Sequence, residues 1–220
     1  YYWQLVANVR RYKGAPALPE ASAPKRVRIS KGFEQWQDVA PEFLDHSGET
    51  TPRDAAGVAG MHYRNNSGRN DIREAKVARD SSHIFFYART AAPLTASSGT
   101  NWMWLLIDAD QNPSTGWHGY DFIANRLTAS GDTAWLEKHD GGWNWKKVEK
   151  IKLRAEGNQL HLAISRKALG QGRGTQPVTL DFKWADNLQA PGDIMDFYLS
   201  GDVAPEGRFN YRYVTSHSGK

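Results

Sequence analysis

Apolar and polar residues alternate at every second position through much of this chain, the period of a β-strand with one buried face. The pattern predicts strands over Ile72–Arg79 and His83–Thr90, with turn-forming Asp80-Ser81-Ser82 between them. DTAWLEKH and WNWKKVEKIKL flank Asp140-Gly141-Gly142, a hairpin signal. A turn at Gly157-Asn158 leads into a strand over Gln159–Ile164 and then a helical turn closed by Gly170. RVRIS is expected to form the first strand, and TLDFKWADN, IMDFYLSGD and RFNYRYV the last three. Trp36, Val39, Phe43 and Leu44 lie in an irregular stretch expected to dock them into the core, whereas Thr51–Ser67 is Gly-rich and its pattern decides between no elements. About ten short strands separated by Gly, Asn, Asp and Pro turns predict an all-β fold, an antiparallel β-sandwich of jelly-roll type with short helical turns. No repeat of fixed period is present.

The densest chemistry lies between Asn101 and Arg126, NWMWLLIDADQNPSTGWHGYDFIANR. A buried strand ending in Leu105, Leu106 and Ile107 runs into Asp108, Asp110 and Asn112, and a second strand, Tyr120–Ala124, leaves the turn with Asp121 near its start. Calcium takes six to eight oxygen ligands, and side chains at alternating positions of a tight loop can converge on it. Asp108, Asp110, Asn112 and Asp121 are therefore candidate calcium ligands. The competing reading is a polar turn, since Asp and Asn form turns through their own backbone hydrogen bonds. An EF-hand is excluded: its sixth and twelfth positions hold Pro113 and Gly119.

A length of 220 residues accommodates one large β domain. The Ala- and Pro-rich stretch GAPALPEASAP reads as a linker or surface tether, so residues 1–24 are expected to be the tail of an upstream domain with its linker, and residues 25–220 the autonomous unit. With no cysteine there is no disulfide, thiol nucleophile or thiolate metal site. The net charge of +4 is spread along the chain, which argues against nucleic acid, and no apolar run is long enough to span a membrane as a helix.

Nine tryptophans and nine tyrosines suit stacking on the C–H faces of sugars. Trp102 and Trp104 are expected on one strand face, as are Trp143 and Trp145, with core packing the alternative for each pair. Trp117, in a loop between Gly116 and His118, is a candidate ligand contact, and Asn125 and Arg126 are candidate hydroxyl partners. Trp36 and Trp184 are assigned to the core. Asp186, Asn187, Asp193, Asp196 and Asp202 form a second polar series, read as turns and caps or as a second cation or sugar site.

WQDVAPEF, LLIDADQN, GYDFIAN, HLAISRKAL and FKWADN followed by GDIMDFYLSGDVAPEGRFNYRY resemble the family 9 carbohydrate-binding modules and the wider DOMON-like β-sandwich group, from about Lys25 to Val214. The resemblance implies a calcium-stabilised, non-catalytic module that binds a polysaccharide or oligosaccharide and is appended to a polysaccharide-degrading enzyme, a glycoside hydrolase or lyase, in a bacterial secreted or cell-surface protein. That family grips its sugar between two tryptophans; the matching segments here, TASSGT and VAPEGR, hold none, leaving Trp102 and Trp104 as shifted candidates. The rival readings are a structural spacer, a glycosidase using two carboxylates, and a haem-binding DOMON domain drawing on Met61, His62, Met103 or Met195.

Overall fold

The computed structural model describes residues 20–215, apart from Ser98 and Thr100 and the side chains of residues 128–130. The expected upstream segment Tyr1–Gly14 lies outside the described residues, as do residues 15–19. Thirteen strands form: β1 (Glu42–Leu44), β2 (Arg53–Ala56), β3 (His62–Asn65), β4 (Ile72–Arg79), β5 (His83–Thr90), β6 (Trp104–Asp108), β7 (Phe122–Ser130), β8 (Thr133–His139), β9 (Trp145–Glu156), β10 (Gln159–Ser165), β11 (Thr179–Asp186), β12 (Asp202–Ala204) and β13 (Tyr211–Val214). One helical turn, α1 (Asp196–Leu199), and two 3-10 turns at Phe33–Trp36 and Val58–Gly60 complete the elements among the described residues.

Eleven strands make one antiparallel sheet in the order β1-β4-β5-β10-β9-β8-β7-β6-β11-β12, with β13 sharing the β12 edge of β11. β2 and β3 form a separate hairpin. The large sheet curls until its ends nearly meet, giving the expected all-β sandwich. Across the seam, the Ile72 N–H at the head of β4 donates to Asp202 Oδ2 of β12 at 2.7 Å. The Tyr211 hydroxyl donates to the Leu44 carbonyl of β1 at 3.1 Å.

Strand alternation sorts the side chains. Ile84, Phe86 and Ala88 of β5 and Leu180, Phe182 and Trp184 of β11 point into the main core, with Leu105, Leu136, Leu153 and Leu162. The opposite faces are also covered. Phe85 and Tyr87 meet Val27, Ile29, Trp36 and Val39 of the N-terminal segment. Trp104, Leu106, Ile123 and Ala185 meet Trp117, Tyr120, Leu188, Phe197 and Val203. Burial on both faces explains why β6 reads as a nearly unbroken apolar run, and it leaves Asp181, Lys183 and Asp186 of β11 buried as well.

Four expectations change. RVRIS is extended and buries Val27 and Ile29 but forms no strand. Its backbone is held instead by the Gln35 side chain, which accepts from the Arg28 N–H at 2.9 Å and donates to the Arg28 carbonyl at 3.2 Å. IMDFYLSGD is not one strand, because it folds into α1 and then the start of β12. Leu44 is 66% exposed rather than core, while Trp36 and Val39 are buried and Phe43 packs edge-on against Phe182. Trp102 and Trp104 occupy opposite faces, in the main core and the outer aromatic group respectively. The cause is Met103, whose left-handed backbone (φ +45°) interrupts the alternation.

Candidate functional site

β6 delivers Asp108 and the approach to β7 delivers Asp121 to one side of the same loop, and carboxylate oxygens of Asp108, Asp110 and Asp121 lie within 4.8 Å of one another. Most of these oxygens already serve the turn. Gln111 N–H donates to Asp108 Oδ1 at 2.6 Å, Ala109 N–H to Asp121 Oδ2 at 2.9 Å and Asn112 N–H to Asp110 Oδ1 at 2.9 Å. The Thr115 hydroxyl lies 3.1 Å from each Asp110 oxygen. Asn112 spends its side-chain oxygen on the Ser114 N–H at 3.0 Å, an Asx turn. Burial pushes Asp108 up to about 6, with Asp181, Asp121 and Asp110 adding to it against the Gln111 hydrogen bond. Burial likewise raises Asp121. Three of the four predicted ligands are thus brought together, and the fourth is occupied locally.

The predicted sugar contacts separate into three groups. Trp102, Trp104 and Trp117 are buried and present no open face. Trp117 is only 6% exposed although it sits in a loop, because the loop folds back. Trp117 and Tyr120 exchange backbone hydrogen bonds at 2.8 and 3.0 Å, which requires the left-handed Gly116 (φ +64°) beside them. Asn125 is buried and donates to the carbonyls of Trp102 and Met103 at 3.2 and 3.0 Å, holding the bend at Met103. Arg126 grips Glu137 with two hydrogen bonds, at 3.1 and 2.6 Å, and Glu137 is 1% exposed. Both polar candidates therefore brace the fold.

Trp143 and Trp145 differ. Both are half-buried at the β8–β9 hairpin. Trp143 stands edge-on to Trp117 at 4.5 Å and to Trp145 at 5.4 Å, and lies 5.9 Å from Trp104. Trp117 and Tyr120 pack in turn on Phe197 at 5.9 and 6.2 Å. His139 lies 5.5 Å from Trp145, and exposed His118 lies 5.1 Å from Trp117. The result is a ridge of two partly open indoles on a rigid aromatic floor. Trp135, further along β8, is half-buried under the Lys147 ammonium at 4.8 Å.

No family model, curated protein or solved structure matches the chain.

An open cleft of about 740 Å³ lies elsewhere, lined by Phe33, Glu42, Glu74, Lys76, Arg89 and Gln159 among others. Four of its charged side chains pair with one another. Lys76 pairs with Glu42 at 2.7 Å and with Glu74 at 3.3 Å, and Arg89 also grips Glu74. Sequence reasoning did not anticipate this cleft, because its lining is drawn from five separate segments.

A second acidic group, also unanticipated, sits at the seam. Oxygens of Asp45, Glu49 and Asp202 lie within 4.8 Å of one another. Asp71 is close enough to raise both Glu49 and Asp202 electrostatically. Burial pushes Asp45 up to about 7, with Glu49 adding to it. Of the series running from Asp186 to Asp202, only Asp202 belongs here. Asp186 binds Arg69 and the Met103 N–H, Asp193 accepts from Met195 N–H, and Asp196 accepts from the N–H groups of Gln189 and Ala190. Those are the caps and turns of the plainer reading. The haem candidates are dispersed: Met103 is in the main core, Met195 is exposed, and exposed His62 pairs with Asp54.

Proposed function

We propose that this domain is a non-catalytic carbohydrate-binding module whose ligand face is the ridge of Trp143 and Trp145. The observation that carries this reading is the exposure of those two indoles above a buried floor of Trp104, Trp117, Tyr120 and Phe197. Sugar stacking needs a flat apolar surface that loses little freedom on binding. Packing against the floor holds Trp143 and Trp145 in place before a ligand arrives. His139 beside Trp145 and His118 beside Trp117 supply hydroxyl partners at the margins. In the same reading Asp108, Asp110 and Asp121 hold a calcium ion that stiffens the loop carrying Trp117, and the module concentrates an enzyme of the same chain on its polysaccharide.

The test is affinity electrophoresis through a panel of plant, fungal and bacterial polysaccharides, with wild type beside Trp143→Ala and Trp145→Ala. Retardation by at least one polysaccharide, reduced about tenfold or more in either variant, is the expected result. Migration unaffected by every polysaccharide would overturn the reading. Retardation that survives both substitutions but is lost in Phe33→Ala would move the ligand to the polar cleft.

A further inference from the structure

Among the described residues, every buried side-chain acceptor without a hydrogen-bond partner is a carboxylate oxygen of one cluster: Asp45 Oδ2, both oxygens of Glu49, Asp71 Oδ1 and Asp202 Oδ1. Native structures leave few buried acceptors unsatisfied, and ionised carboxylates are the costliest to leave so. Asp202 is only 3% exposed, and its other oxygen is taken by the Ile72 N–H. Its unpartnered oxygen is therefore shielded from bulk solvent and meets no protein donor. Glu49 makes no side-chain hydrogen bond at either oxygen, although both are shielded from solvent.

We propose that Asp45, Glu49, Asp71 and Asp202 bind a calcium ion that fastens the two ends of the sheet together. Five oxygens and no nitrogen or sulfur make a donor set for a hard cation, and Glu49, with both oxygens free, can bind as a bidentate ligand. Backbone carbonyls and water complete six to eight ligands for calcium, whereas magnesium demands a regular octahedron and keeps its waters. The buried cation nearby does not substitute for the ion. Lys183 donates its ammonium to the Pro205 carbonyl and sits 5.3 Å over the Phe197 ring, with no ion pair to the cluster.

The position gives the ion a task. Asp45 directly follows β1, Glu49 lies in the loop beyond it, Asp71 directly precedes β4 and Asp202 opens β12. β1 and β4 are at one end of the strand order and β12 is at the other. The Gly48 N–H already ties the Glu49 loop to Asp71 Oδ2 at 3.1 Å. A cation here replaces mutual repulsion among four carboxylates with shared coordination, and converts an open seam into a closed one.

This site is independent of the sugar reading and of the Asp108 loop, so the experiment separates the three. The full chain, stripped with chelator, is titrated by calorimetry with calcium chloride alone, and with magnesium chloride for comparison. The proteins are wild type, Glu49→Gln, Asp202→Asn and Asp110→Asn. Glu49→Gln removes charge without removing a protein hydrogen bond, so it retains the apo fold, which circular dichroism checks. The expected result is a calcium-binding event that persists in Asp110→Asn and weakens at least tenfold in Glu49→Gln and Asp202→Asn. Calcium should raise the melting temperature of wild type and Asp110→Asn, and raise that of Glu49→Gln by clearly less than that of wild type. Calcium binding abolished by Asp110→Asn and intact in Glu49→Gln would overturn the proposal. So would absence of calcium uptake at millimolar concentration, which would leave shared protons as what balances the cluster.

Discussion

Trp117→Ala separates the floor of the aromatic ridge from its open face. Read from the sequence, Trp117 is a loop residue whose loss leaves the melting curve nearly unchanged. The structure reverses that expectation, since the side chain is 6% exposed and in ring contact with Trp143, Tyr120 and Phe197. Full burial removes about 150–250 Å² of a tryptophan from water. At about 25 cal/mol per Å² that amounts to roughly 4–6 kcal/mol, an upper figure because the unfolded chain already hides part of its surface. Truncation series for buried aromatics give about 3–5 kcal/mol. A loss of about 4 kcal/mol is therefore expected, and with a urea m-value of about 2 kcal/mol/M it lowers the unfolding midpoint by about 2 M. Trp143→Ala, which removes a half-buried ring, should cost about half as much. Urea unfolding followed by circular dichroism measures both. A Trp117→Ala loss under about 1 kcal/mol, or one equal to that of Trp143→Ala, would refute the division into floor and platform.

Two further outcomes follow from buried polar groups. Arg126→Met should cost about 3–5 kcal/mol, because it strands the Glu137 carboxylate, 1% exposed, without its bidentate partner; the double variant Arg126→Met/Glu137→Met should recover most of the loss. A single variant as stable as wild type would return Arg126 to the candidates for ligand binding. His161 is fully buried between a Trp36 Nε1–H that donates to its Nδ1 at 3.0 Å and the Ile29 carbonyl 3.0 Å from its Nε2. That arrangement fits a neutral imidazole, and burial holds its pKa below the ordinary value. The unfolded chain then takes up a proton that the folded chain refuses, so this contribution to stability is present above about pH 6.5 and is lost as pH falls below it. The difference in stability between wild type and His161→Gln, measured from pH 4.5 to 7.5, should shrink toward acid; a constant difference would show that His161 does not carry this dependence.

The strand pattern was most legible where alternation and turn chemistry agreed. β4 and β5 fall at the boundaries set by Asp80-Ser81-Ser82, and β8, β9 and β10 follow the Asp140-Gly141-Gly142 and Gly157-Asn158 turns. It misled where side chains intercepted the backbone. Met195, Phe197 and Leu199 alternate like a strand. Asp193 caps Met195, however, and Asp196 takes the N–H groups of Gln189 and Ala190, so the chain coils into α1. Val27 and Ile29 also alternate, and bury as a strand would, but Gln35 satisfies Arg28 in place of a neighbouring strand. A left-handed Met103 between Trp102 and Trp104 defeated the face assignment, since a non-glycine residue carries no sign of positive φ in its identity.

The two acidic groups differ in how far the sequence reveals them. Asp108, Asp110, Asn112 and Asp121 are conspicuous because they crowd one loop. The same crowding supplies them with backbone donors two or three residues away, so the turn shares several of the oxygens that a metal would use. Asp45, Glu49, Asp71 and Asp202 are scattered along the chain, and only the sheet order brings them together. Their one signature in the sequence is position at strand ends: Asp45 after Leu44, Asp71 before Ile72, Asp202 before Val203. An acid at a strand end is ordinary by itself. It acquires meaning when closure of the sheet buries it beside others and gives it no donor, which is a property of topology and packing rather than of spacing.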